Sequence, residues 1–215
     1  MTKVGLIFDD GFLKSTLATA ALFDEFKLSA MFAVVAEAKD FAPGFVKGDF
    51  ALWNELQSRG HIILPHGYTH AKLPDLPHEQ AVGELERCLD TFVEKLHGFD
   101  ARKAVYCYAY NSGTTRLNQW LLPRVKALRQ GGTGMLSLEE LASGVWHSDA
   151  YGPDDPGDHL FGLLDRARKA KPDAFLFSLH GIDGEAWGAI ALATLRRVLE
   201  TIQNDPEFEY WPVGR

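Results

Sequence analysis

The sequence predicts an α/β protein on a parallel sheet, either doubly wound or closed into a barrel. Three observations carry this. Short apolar runs alternate with stretches of helical periodicity from one end of the chain to the other. No linker, low-complexity segment or internal repeat interrupts that alternation, so residues 1–215 are expected to form a single domain. The 215 residues, 46% hydrophobic and 24% charged, are also enough to bury a full core.

The elements follow in order. Val4–Phe8 is an apolar run and the first expected strand, followed by a helix over Ser15–Phe26 and a strand over Ala30–Val35. A helix over Leu52–Arg59 precedes a strand over His61–Leu64. Glu79–Leu96 carries Val82, Leu85, Leu89, Phe92, Val93 and Leu96 at spacings of three and four, the mark of an amphipathic helix. A strand is expected over Ala104–Tyr108, a helix over Leu117–Gln130, a short helix over Leu138–Ala142 and a strand over Val145–Ser148. Gly152–Asp158, rich in Gly, Pro and Asp, reads as a loop. A helix over His159–Ala170, a strand over Ala174–Leu179 and a helix over Ala186–Gln203 complete the chain.

Composition excludes several classes of function. The formal charge is −7 and no basic patch is visible, which argues against nucleic acid or an anionic membrane as partner. Asp165 to Lys171 alternates in sign as a solvated helix face does. The N-terminus lacks the sections of a signal peptide, and no apolar run approaches the roughly 20 residues of a membrane span. The two cysteines, Cys88 and Cys107, cannot define a disulfide framework and are expected to be free. The expectation is a cytoplasmic protein.

In parallel sheets chemistry collects at the carboxyl ends of the strands, and four expected strands end in reactive groups there. Val4–Phe8 runs into Asp9-Asp10-Gly11, and His61–Leu64 into Pro65-His66-Gly67-Tyr68-Thr69-His70. Ala104–Tyr108 runs into Ala109-Tyr110-Asn111, and Ala174–Leu179 into His180-Gly181. Adjacent carboxylates diverge, so one of Asp9 and Asp10 can hold a cation while the other takes a proton from water. The simpler reading is a turn that caps the next helix. His66 and His70, four apart, share one face if a helical turn starts here, and Gly67 leaves room beside an ion. Two surface histidines are the alternative. His180 could protonate a leaving group, with Gly181 allowing close approach of substrate, or it could be structural. His61 reads as structural and His78, His97 and His159 as surface residues, whereas the strand of His147 points at the rim. Two imidazoles and a carboxylate leave coordination positions open. Zinc is the first expectation, with cobalt, nickel, manganese or iron compatible.

Together these pieces resemble the polysaccharide deacetylase family (carbohydrate esterase family 4, the NodB homology domain). Its Thr-Phe-Asp-Asp-Gly motif is matched by Ile7-Phe8-Asp9-Asp10-Gly11, and its His-[Ser/Thr]-x-x-His motif by His66-Gly67-Tyr68-Thr69-His70. A later Leu-x-His motif aligns with Ser178-Leu179-His180, and Ser29–Val35 echoes the family's Ala-Thr-Phe-Phe strand. The resemblance implies a distorted (β/α) barrel with fewer than eight strands. It implies Asp9 as general base, Asp10, His66 and His70 as ligands of one divalent metal, and His180 as general acid. The Arg-x-Pro-Tyr motif is altered to Cys107-Tyr108-Ala109-Tyr110, with Cys107 at the Arg position and Tyr110 keeping a main-chain oxyanion role. The family's Asp and Trp near its fourth motif find a loose match in Asp149 and Trp146.

The function so implied is hydrolysis of an N- or O-acetyl group on a carbohydrate or small acetylated substrate, with a metal-activated water as nucleophile. Tyr68, Tyr108, Trp146, Tyr151 and Trp187 could stack on sugar rings. A cyclic amide or imide hydrolase of the same superfamily and a non-catalytic carbohydrate-binding barrel are the alternatives.

Overall fold

The computed structural model describes residues 1–37, 42, 44 and 46–213. Its strands are β1 (Thr2–Asp10), β2 (Met31–Val34), β3 (Ile62–Pro65), β4 (Val105–Cys107), β5 (Ala127–Gly131), β6 (Met135–Leu136), β7 (Val145–Ala150), β8 (Ala174–Leu179) and β9 (Phe208–Tyr210). The helices are α1 (Leu13–Glu25), α2 (Phe50–Ser58), α3 (His78–Lys95), α4 (Thr115–Leu121), α5 (Leu138–Ser143), α6 (Gly157–Ala170) and α7 (Leu192–Asn204).

Seven strands run parallel in the order β3-β2-β1-β8-β7-β5-β4 and curl into a nearly closed barrel flanked by helices. The expected (β/α) barrel is therefore what the chain forms. Two short strands patch the sheet at its amino end: β9 pairs in parallel with Thr2–Val4 of β1, and β6 runs antiparallel against Ala174 and Phe175 of β8. Gly134 makes the latter contact possible. At φ +75° it delivers its carbonyl to the Leu176 N–H at 2.8 Å, and a Cβ there would lie 2.5 Å from the Leu176 carbonyl oxygen.

Strand alternation sorts the apolar residues into two cores. Leu6, Phe8, Phe32, Phe175 and Phe177 face outward and pack under the helices, against Leu85 and Phe92 of α3 and Leu195 and Leu199 of α7. Ile7, Met31, Leu64, Val105, Ala127, Trp146 and Leu176 face inward and fill the barrel. With both faces covered, the central strands are buried nearly throughout. One step further along the inward-facing positions the side chains turn polar: Asp9 on β1, His66 after β3, Arg129 on β5, Ser148 on β7 and Ser178 on β8, all buried. The site is this uppermost layer of the barrel interior.

The structure corrects two helices. The expected Leu117–Gln130 ends at Leu121, and residues 127–131 form β5. Pro123 lacks an N–H and its ring would clash with the preceding turn, so the helix stops before it. The chain re-enters the sheet with Ala127 and Arg129 facing inward. The expected Ala186–Gln203 begins only at Leu192, because residues 181–191 form a folded-back loop. Both cysteines are free and buried, and among the described residues no helix is long and apolar enough to cross a membrane.

Candidate metal centre and acid-base site

Strand β1 delivers two carboxylates in two directions. Asp9 follows Gly5 and Ile7 on the inward face. Asp10 should by alternation point outward, but its φ of 78° and that of Gly11, 80°, turn the chain sharply. A non-glycine residue in the left-handed region persists only where its surroundings impose it. Here the turn swings the Asp10 carboxylate to the mouth of the barrel, where His66 Nε2 lies 3.4 Å and His70 Nε2 3.1 Å from its Oδ1.

The two histidines do not share a helical face, as their spacing suggests. Residues 66–70 are a loop, and the convergence comes from Gly67 at φ 92° and His70 at φ 60°. A Cβ on Gly67 would meet nothing nearer than 3.8 Å, so backbone conformation, not clearance for an ion, is what calls for glycine there. The Ala36 and Glu37 N–H groups donate to the Gly67 and Tyr68 carbonyls at 3.0 and 2.7 Å, and two side-chain anchors complete the hold. His66 Nδ1 donates to the Cys107 carbonyl at 3.0 Å, bridging the gap between β3 and β4 and leaving Nε2 available to a cation. Buried Glu84 of α3 accepts the Thr69 N–H at 3.1 Å and its hydroxyl at 2.6 Å.

Asp10, His66 and His70 present ligand atoms within 4.8 Å of one another. Donors each about 2.0–2.1 Å from a tetrahedral ion stand roughly 3.3 Å apart, and the two Asp10–His separations bracket that value. Among the described residues buried Asp10 Oδ1 has no hydrogen-bond partner of good geometry, although two ring nitrogens lie within 3.4 Å of it. Burial alone would raise the Asp10 carboxyl, but His66 and His70 hold it well below the usual carboxylate range. These residues fit a divalent cation.

Asp9 lies beside this triad, its Oδ2 3.9 Å from His66 Nε2. Its partner is Arg129, whose Nη2 reaches both carboxylate oxygens at 2.7 and 2.8 Å. The family's motif would place this cation on β4, where Cys107 stands instead. In the barrel Cys107 and Arg129 are register partners on adjacent strands, so the guanidinium occupies the same interior layer from one strand further on. Burial disfavours the charged guanidinium, yet the Asp9 carboxylate raises its pKa above the ordinary value. Arg129 Nη1 also donates to Asn111 Oδ1 and, at 2.9 Å, to Ser178 Oγ, which lies 2.8 Å from Ser148 Oγ.

The remaining expected site residues divide. Tyr110, 60% exposed at φ 55°, packs its ring against His70 with centroids 4.6 Å apart. His180 leaves β8 at the same rim, where burial lowers its pKa against the opposing Asp9 and Asp10 charges. Gly181 does not make room for substrate: a Cβ there would sit 1.3 Å from the Glu185 carbonyl oxygen. Trp146 is buried in the barrel interior beside Trp211, and Tyr108 is buried in the outer core, so neither faces a sugar. Tyr68 is half-buried under the Arg87 guanidinium. Asp149 pairs with His159 Nε2 at 3.0 Å, and His159 stacks on Tyr151. His147 lies on the outward side of β7, near Gln130 and Glu140. Lys47 places its Nζ 3.3 Å from the Phe12 ring centre; burial pulls its pKa down to about 8 against the pull of Asp10 and Glu185.

The family model for polysaccharide deacetylase matches residues 2–121, more than half of the chain. No curated protein matches the sequence. Among solved structures, a Mycobacterium smegmatis protein assigned as a polysaccharide deacetylase superposes with a TM-score of 0.68 at 13% identity, over 99% of this chain and 87% of that one. The Xyl-CE4 domain of a multidomain xylanase from the Trinervitermes trinervoides hindgut metagenome gives 0.62 at 16% identity, over 98% and 87%. The catalytic domain of a peptidoglycan N-acetylglucosamine deacetylase from Eubacterium rectale gives 0.57 at 17%, over 99% and 89%. At these identities the likeness is one of fold. With the match over residues 2–121 it establishes that the chain belongs to the polysaccharide deacetylase family, a family of hydrolases.

Proposed function

We propose that this chain removes N- or O-linked acetyl groups from a carbohydrate, using Asp9 as base, His180 as acid and a divalent cation held by Asp10, His66 and His70. The observation that carries this reading is a buried carboxylate locked to Arg129 and standing 3.9 Å from a nitrogen of the ligand set. A cation bound there, zinc by the donor set, supplies Lewis acidity that polarises the acyl oxygen and brings the pKa of water towards neutrality. Asp9 takes the proton of the attacking water, with Arg129 holding its carboxylate in place. The Tyr110 main-chain N–H supports the acyl oxygen as it becomes an oxyanion, a contribution typically worth roughly 2.7–4 kcal/mol. His180 passes a proton to the departing amine or alcohol. The burial that lowers its pKa makes the imidazolium, once formed, the stronger acid.

The test is metal analysis of the purified protein together with acetate release from acetylated oligosaccharides and ring opening of cyclic imides. Bound metal and acetate release support the reading. Turnover of the imides alone, or full activity after complete metal removal, overturns it.

A further inference from the structure

We propose that Glu185 and Trp187 position His180. Glu185 straps the loop after β8 to the start of α1, and Trp187, carried on that loop, holds the imidazole in place. This rests on the reading of His180 as proton donor and adds what aims it.

Among the described residues no hydrogen bond or ion pair holds the His180 ring, which packs edge-on against Trp187 with centroids 5.0 Å apart and planes at 82°. Asp149, the nearest sequence match to an orienting carboxylate, is engaged with His159. Packing takes the place of a carboxylate.

An indole can orient a neighbour only if it is itself fixed, and Trp187 is 47% exposed. Its seat is Gly152, where a Cβ would fall 2.4–2.7 Å from indole atoms. The Gly188 N–H donates to the Pro153 carbonyl at 3.1 Å, and the Ile190 N–H to the Gly181 carbonyl at 3.0 Å. Glu185 makes the longest-range tie. One carboxylate oxygen accepts the Ser15 N–H at 2.7 Å and the Ser15 hydroxyl at 2.6 Å, while Ser15 Oγ accepts the Ile182 N–H at 2.8 Å. Helix α1 has no capping side chain of its own at Phe12. Glu185 therefore satisfies an orphan donor of its first turn from 170 residues away. Asp183 and Ala186 are held in the left-handed region by this folding-back. The loop bearing Trp187 is thus joined to the segment that follows Asp9 and Asp10 in β1, so acid and base are set by one connected structure.

The consequence depends on the leaving group. When the tetrahedral adduct collapses, the C–N or C–O bond breaks, its electron pair stays on the departing atom, and the imidazolium proton moves to that atom. An amine or alkoxide needs that proton; a 4-nitrophenolate leaves without it. A misplaced His180 therefore costs rate on amides and alkyl esters and little on an activated aryl ester.

The experiment compares zinc-loaded wild type, His180→Ala, Glu185→Ala, Glu185→Gln and Trp187→Ala on an N-acetylated chito-oligosaccharide and on 4-nitrophenyl acetate. General acid catalysis contributes about 10²–10⁴-fold; misaiming in Glu185→Ala and Trp187→Ala is expected to cost about tenfold on the amide and less than about twofold on the aryl ester. Glu185→Gln, whose amide oxygen can still accept both Ser15 bonds, should stay close to wild type. Equal losses on both substrates, no loss in Glu185→Ala, or Glu185→Gln as impaired as Glu185→Ala would each overturn the proposal. A readout independent of turnover is the His180 ring-proton NMR shift, which the indole current displaces in wild type and Glu185→Gln. In Glu185→Ala it should relax, and an unchanged shift there refutes the strap. Wild type inert on both substrates, or His180→Ala without leaving-group dependence, would instead sink the reading of the reaction, with the NMR arm still deciding the strap.

Discussion

At the residue scale, the most informative feature is one buried ion pair of the proposed site. Asp9 and Arg129 are both buried, and their contact spans 120 residues of sequence. Removing the negative charge while keeping the shape should separate catalysis from metal binding. Asp9→Asn is expected to lose essentially all turnover and keep its metal, measured by acetate release beside elemental analysis; unchanged turnover removes Asp9 from the mechanism. The reverse substitution tests the pair as structure. Arg129→Met leaves a buried carboxylate without a countercharge, which should cost about 3–5 kcal/mol of stability, read from urea denaturation. Arg129→Lys keeps the charge but supplies a point cation where a planar guanidinium meets Asp9, Asn111 and Ser178 at once. We expect at least a roughly tenfold loss of kcat, since a misplaced base loses orientation first.

At the element scale, the ligand loop is the informative unit. The loop from His66 to His70 is not helical; the backbone after β2 holds Gly67 and Tyr68, and Glu84 of α3 and the Cys107 carbonyl of β4 hold Thr69 and His66. Groups that orient metal ligands typically tune affinity by about 10–100-fold. Glu84→Ala should weaken zinc binding by that much in a calorimetric titration, with the barrel's circular dichroism preserved; unaltered affinity would show that the loop holds itself. Legibility in the sequence also differed element by element. The strands carrying Asp9, His66 and His180 were readable because each is a short apolar run ending in polar residues. Strand β5 was not, because Leu117, Leu121 and Val125 continue a helical spacing that Pro123 breaks. Losing β5 also hid Arg129, whose neighbour Cys107 lies 22 residues back and meets it only through sheet register. The separate direction of Asp10 and the closed loop behind Gly181 were equally invisible, since they come from backbone dihedrals and not from residue spacing.

At the scale of the molecule, the barrel is a stack of layers: apolar below, then one polar layer, then the candidate metal ligands Asp10, His66 and His70 at the mouth. The ligands come from β1 and from the loop after β3, and the His66 ring also touches β4 at the far end of the strand path. A cation bound at Asp10, His66 and His70 would therefore join β1 to the loop after β3, two strands away in the sheet, a geometry that exists only in the folded chain. Such a ligand stabilises by about 2.7 kcal/mol at a free concentration one hundred times Kd. In a chain of this size each kcal/mol moves Tm by roughly 2–4 °C, so zinc should raise the melting temperature of the metal-free protein by about 5–10 °C. His70→Ala removes one of three ligands and should lose both the bound metal and this shift, while Asp9→Asn should keep both. A wild-type melting curve indifferent to zinc, or a His70→Ala protein that still shows the full shift, would place the cation somewhere other than the mouth of the barrel.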